Sequence, residues 1–148
     1  MRADASWIAR TRELPEFVSL QNEWSLVARE IETEVVGACE HFGLGILPYF
    51  PLASGVLTGK VKRGEAAPEG SRLNAPYFST YLSDDNLAAA ERVALWAEGR
   101  GRTLHEVALS YLASNPLTAS VIAGVSFNDS SRGMSSSMLD TSASASSP

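Results

Sequence analysis

The chain has 148 residues, 45% of them hydrophobic and 20% charged, which suits one globular domain with one modest core. Its formal net charge is -5, and its 12 Lys and Arg are scattered, which excludes the clustered bases that a nucleic-acid partner requires. No apolar run reaches the ~18 residues of a membrane span, MRADASWIARTRELPE lacks the apolar segment of a secretory signal, and the single cysteine excludes an intrachain disulfide and a Cys-rich metal site; a cytoplasmic protein without membrane contact or metal is expected.

The predicted elements begin with FVSLQ (17–21), which is short, β-branched and aromatic, follows Pro15, and reads as a strand. In EIETEVVGACEHFG, Ile31, Val35, Ala38, Cys39 and Phe42 fall at helical spacing, acids crowd the start, and Gly43 stands where a helix is capped. LGILPYF (44–50) is apolar almost throughout, as strands covered on both faces are. The stretch LPYFPLASGVLTGK (47–60) then drives this run into proline, glycine and small hydroxyl residues, a rigid turn at a strand end. A polar loop (61–82) leads to a helix over 86–98 that presents Leu87, Ala90, Ala94 and Ala97 on one side, with Ser83 or Asp84 as its cap. Thr103 and Glu106 form a T-x-x-E capping box ahead of the stripe Leu104, Val107, Ala108, Tyr111 and Leu112, and Asn115-Pro116 ends that helix. ASVIAG (119–124) closes the series as a third buried strand. Residues 126–148 include ten serines among 23 and show no apolar periodicity, so a disordered tail is expected after a domain spanning 1–125.

Apolar strands separated by helices predict an α/β protein with a parallel sheet and crossover connections. Ligands of such sheets bind at the carboxyl ends of the strands, here near Gln21, residues 49–57 and Gly124. Each of these residues also has a plain reading: Gln21 as a strand-end cap, Tyr49 as a core aromatic, 51–55 as a tight turn. His41, at a helix C-terminus, and His105, in a helix first turn, read as structural or solvated, and Cys39 as a small buried hydrophobe. The residues by themselves do not reach a reaction.

Taken in order, FVSLQNEWSLVARE, GLGILPYFPLASGVLTGK and ALSYLASNPLTASVIAGVS resemble the C-terminal half of the aldo-keto reductases, over about 14–126. These are (β/α)8 barrels that reduce carbonyls with NADPH. The resemblance implies a partial (β/α)8 TIM barrel, its C-terminal half, with about three parallel strands and flanking helices. It implies that Tyr49 stacks on the nicotinamide of NADP(H) and that Gln21 hydrogen-bonds the carboxamide. Leu52, Ser54 and Gly55 match the loop around the pyrophosphate; Pro51 and Leu57 lie in the same block, and Lys60 would add charge. Phe50 departs from the pattern: it stands where the family has Ser or Ala, and would crowd the cofactor.

The family's catalytic Asp, Tyr, Lys and His belong to the first half of the barrel, in segments with no counterpart here, so no catalytic residue is assigned. Neither Tyr77 nor Tyr81 has a Lys and an Asp placed around it to lower a phenol pKa. The resemblance therefore implies a fragment of an NADP(H)-dependent oxidoreductase (aldehyde or ketone to alcohol) that retains part of the cofactor loop, is inactive alone, and meets a small carbonyl substrate only when an N-terminal half completes it. The alternative is a non-catalytic nucleotide-binding or regulatory protein on the same fold, like channel β-subunits. Unpaired barrel edges predict self-association. Both ends are expected to reflect a truncated or mis-framed coding region; Arg132 is the only base beyond the last strand, so the choice of NADPH over NADH rests on family habit. Tyr77, Phe78 and Tyr81 offer apolar walls from the loop but name no substrate.

Overall fold

The computed structural model describes residues 2–124, and the serine-rich tail lies outside them. The chain opens with α1 (Arg2–Thr11), a helix the sequence reading passed over, whose Ser6 and Ala9 are buried while Trp7 and Ile8 stay exposed. Then follow β1 (Ser19–Glu23), α2 (Ile31–Phe42) and β2 (Gly45–Tyr49), with β1 and β2 parallel. The first strand begins two residues later than 17–21, and Phe17 and Val18 are exposed: with Ser19 paired to Gly45, they have no opposite residue on β2. Acids in its first turn and a left-handed Gly43 at its end, whose N–H donates to the Cys39 and Glu40 carbonyls, bound α2 as expected.

Register divides the sheet into two faces. Ile46 and Pro48, which are buried, share one with Leu20 and Asn22; Gln21, Glu23, Leu47 and Tyr49 share the other. The predicted third strand, 119–124, is a correction: it joins β2 only through isolated parallel bridges, Ile46 to Thr118 and Tyr49 to Ile122. Ile46 donates to the Leu117 carbonyl (2.6 Å), and Ala119 and Ile122 donate to Ile46 and Pro48 (2.8 and 2.9 Å). Between the bridges Pro48 has no N–H to return, so the ladder is interrupted and the outer segment takes in an extra residue. Gly45 permits the approach: a Cβ there would stand 2.9 Å from the Ala119 Cβ.

Two further helices complete the described fold. In α3 (Asp84–Glu98) it is Ser83 that caps, its hydroxyl accepting from the Asn86 N–H. In α4 (Leu104–Ala113) Thr103 and Glu106 form the reciprocal capping box, and Leu104, Ala108 and Leu112 are buried. One core cluster gathers Trp24, Ile31, Cys39, Leu44, Ile46 and Leu112. The other gathers Ala53, Val56 and Leu57, from the turn after β2, with Leu73, Leu87, Ala90, Leu104 and Ala108. The turn is thus bolted to α3 and α4 from beneath. Among the described residues no helix is long and apolar enough to cross a membrane.

A carboxylate ties α2 to α4. Glu32, at the start of α2, accepts from Trp24 Nε1 (2.8 Å), from the Arg29 guanidinium (2.6 to 3.0 Å) and from the Tyr111 hydroxyl on α4. Hydrogen bonds from Arg29, then from Tyr111 and Trp24, outweigh the desolvation of Glu32 and hold its carboxyl down at about 2. Burial, and next the Glu32 carboxylate, raise the Tyr111 phenol above its ordinary value.

Candidate functional site

The turn after β2 runs from Phe50 into a 3-10 segment, Ala53–Thr58, and several of its residues have positive φ: Phe50 (φ 53°), Ala53 (φ 47°), Ser54 (φ 56°) and Gly55 (φ 118°). Three of these are not glycine, and each such residue costs on the order of 1–3 kcal/mol, so the conformation persists only where packing over-determines it. Here the packing is the full burial of Ala53, Val56 and Leu57. The Thr58 hydroxyl closes the turn by donating to the Gly55 carbonyl (2.6 Å).

Above this floor lies a groove of about 480 Å³, and six of the sequence-predicted residues line it together: Phe50, Pro51, Leu52, Ser54, Gly55 and Lys60. Gly124 lines it too. Leu57 does not; the turn points it into the core, where it is fully buried, because Ala53, Val56 and Leu57 form the inward side of the 3-10 segment. Gln21 and Tyr49 are also outside the groove lining. They lie on the sheet face beside it, Gln21 opposite Leu47 and exposed, Tyr49 one row further on opposite Glu23. A separate cavity of about 360 Å³, lined by residues that include Ser6, Phe17, Val35 and Phe42, sits at the start of β1 and is lined by none of these residues.

The far wall of the groove comes from the loop, whose residues 68–72 the sequence reading left unassigned. Leu73 is the anchor: it is 1% exposed, in the same core cluster as Val56 and Leu57, and it is the one aliphatic side chain larger than Ala or Pro between Val61 and Leu82. A lone leucine in a polar loop was the signal available. Ser71 begins the 3-10 turn Arg72–Asn74 by accepting from the Leu73 N–H, and Arg72, like Lys60, lines the groove, its guanidinium 5.8 Å from the centre of the Phe78 ring. Glu69 is the opposing charge.

Ser54 is the chemically telling residue. Its Oγ is buried and makes no hydrogen bond within the protein, a state that normally costs about 1–3 kcal/mol. An unmet hydroxyl in a groove with Lys60 and Arg72 at its walls suits an anion that brings acceptor oxygens.

At the strand ends, Tyr81 donates to Glu23 Oε1 (2.5 Å) from the 3-10 turn Ser79–Leu82. Burial first, then the Glu23 carboxylate, push the Tyr81 phenol well above its ordinary value. The ring of Phe50 meets Tyr49 (5.3 Å), Phe78 (5.8 Å) and Tyr81 (6.3 Å) edge-on.

A sequence model of the Aldo/keto reductase family matches residues 3–137, taking in α1 and passing Ser126. The aldo-keto reductase dtxS3 of Metarhizium robertsii is 37% identical over 117 residues, covering 78% of this chain and 31% of that protein. A probable voltage-gated potassium channel subunit beta of Arabidopsis thaliana is 38% identical over 109 residues, covering 70% of this chain and 33% of that one. The chain therefore spans about a third of the length of these relatives. In structure, the glycerol dehydrogenase of Gluconobacter oxydans superposes with a TM-score of 0.61 at 23% identity, over 83% of this chain and 42% of that one. The α/β arrangement is that of a partial (β/α)8 barrel, with two paired parallel strands and a third segment bridged to them. With 135 of 148 positions inside the family match, the chain belongs to the aldo/keto reductase family.

Proposed function

We propose that these residues form the nucleotide-binding part of an NADP(H)-dependent oxidoreductase that interconverts aldehydes or ketones and alcohols. The observation that carries this reading is the buried, unpartnered Ser54 Oγ in a groove whose walls hold Lys60 and Arg72. The donor set fits the phosphates of a dinucleotide: a hydroxyl on a strained turn held rigidly from below, in a groove that two cations also line. Tyr49, on the sheet face beside the groove, would carry the nicotinamide, and Gln21 on the same face would meet its carboxamide. When bound, the nicotinamide supplies or accepts hydride. Turnover would also require an acid from outside the described residues, because Tyr81, the phenol beside Tyr49, is held above its ordinary pKa, opposite to what a donor near neutral pH needs.

Titrating NADPH into the 148-residue chain, with nicotinamide fluorescence as the readout, tests this. Saturable binding is expected, and Tyr49→Ala should weaken it at least about tenfold, the loss of one stacking face. A folded chain that shows no saturable binding would overturn the reading. A regulatory role on the same fold is the second reading, favoured by the similarity to the channel subunit. Adding the N-terminal half of a related reductase separates the two: restored carbonyl turnover selects the enzyme, and binding without turnover selects the regulator.

A further inference from the structure

Three side chains close a circuit around Tyr49. Glu23 is its partner across the sheet, on the same face. Glu23 in turn accepts from the Tyr81 hydroxyl, 58 residues away in sequence. Tyr81 meets the edge of Phe50 with the ring planes 81° apart, and Phe50 meets Tyr49, also at 81°. Phe50 reaches both rings because its backbone is left-handed (φ 53°), which turns its side chain back across the strand ends. The Asn86 side chain donates to the Tyr81 carbonyl (3.1 Å) and fixes the last member to the start of α3.

We infer that Glu23, Tyr81 and Phe50 are positioning residues that hold the Tyr49 ring as a platform beside the groove. The inference deepens the nucleotide reading and rests on it for its purpose. A ring on an open sheet face rotates about χ1 and χ2; one bounded by an edge-on phenyl and a carboxylate bonded to a second phenol is confined. Preorganising a stacking surface improves affinity by lowering the ordering cost at binding. The position of Phe50 thus acquires a role: the bulk that sets it apart from Ser or Ala links the platform to the loop.

The test follows the ring and the nucleotide separately. In the full chain with 13C-labelled tyrosine rings, the Tyr49 resonance is assigned by its loss in Tyr49→Phe. Tyr81→Phe deletes the hydroxyl and keeps the ring; it should shift the Tyr49 resonance and speed its ring flips, and raise the NADPH dissociation constant about fivefold. Phe50→Leu, which leaves the Glu23 to Tyr81 bond in place, should produce the same change at Tyr49. Glu23→Gln retains an acceptor oxygen and should leave the Tyr49 resonance close to wild type. An unchanged Tyr49 resonance in both Tyr81→Phe and Phe50→Leu would overturn the inference. Absence of NADPH binding by the wild-type chain would sink the nucleotide reading alone, since the ring resonances are read without nucleotide.

Discussion

Leu57→Ala is expected to lower the unfolding free energy by about 3 kcal/mol, within the range of ~2–5 for a buried leucine whose site cannot collapse. The side chain is fully buried among Val56, Leu73, Leu87, Leu104 and Ala108, and joins the turn after β2 to both α3 and α4. Its loss removes the packing that holds Ala53, Ser54 and Gly55 in left-handed conformations, so nucleotide affinity should fall with stability although Leu57 does not face the groove. Denaturant midpoints at constant m-value measure the first effect. Leu52→Ala is the control, because Leu52 is only half-buried and lines the groove; it should cost less stability than Leu57→Ala. A Leu57→Ala midpoint indistinguishable from wild type would place that side chain outside the core.

Glu32 supplies the second large effect, which depends on pH. Its carboxyl is depressed from an ordinary 4.5 to about 2 in the folded chain, chiefly by the Arg29 hydrogen bonds. A depressed acid contributes stability that is fully present above pH 4.5 and is lost as pH falls toward 2. Because the Arg29 side chain is 58% exposed, solvent screening reduces the contribution to about 2 kcal/mol. Glu32→Gln should therefore destabilise the chain at pH 7 and flatten this part of the acid limb, so that the difference between variant and wild type shrinks between pH 4.5 and 2. Glu32→Ala should cost more at pH 7, since it also leaves Trp24 Nε1–H and the Tyr111 hydroxyl without their acceptor. A wild-type minus Glu32→Gln difference that stays constant over this interval would contradict the depressed carboxyl.

What the sequence shows and what it hides both have local causes. The capping box at Thr103, the left-handed end at Gly43 and the groove-lining block 50–55 are legible because each depends on residues within a few positions of one another. The continuous strand expected over 119–124 fails because the decisive residue is Pro48, on the neighbouring strand. Leu57 is legible as part of the motif, yet its direction follows from the 3-10 twist of the turn, which spacing alone does not reveal. The Glu23 to Tyr81 and Glu32 to Tyr111 bonds join residues 58 and 79 positions apart, so no local pattern announces them. Arg72 reaches the groove because Leu73 is buried beside it.

The interruption at Pro48 also has a dynamic consequence. Segment 117–122 hangs on β2 by three backbone hydrogen bonds and leads into Ala123 and Gly124, which also line the groove. The groove thus joins a rigid floor to a hem with a missed stitch. Opening free energy is lowest where ladder bonds are few, so the amides of Ala119 and Ile122 exchange with solvent before those of β1 and β2. A ligand that spans the groove from Ser54 to Gly124 and prefers the paired segment should slow exchange at those two amides, which hydrogen exchange with and without NADPH would measure.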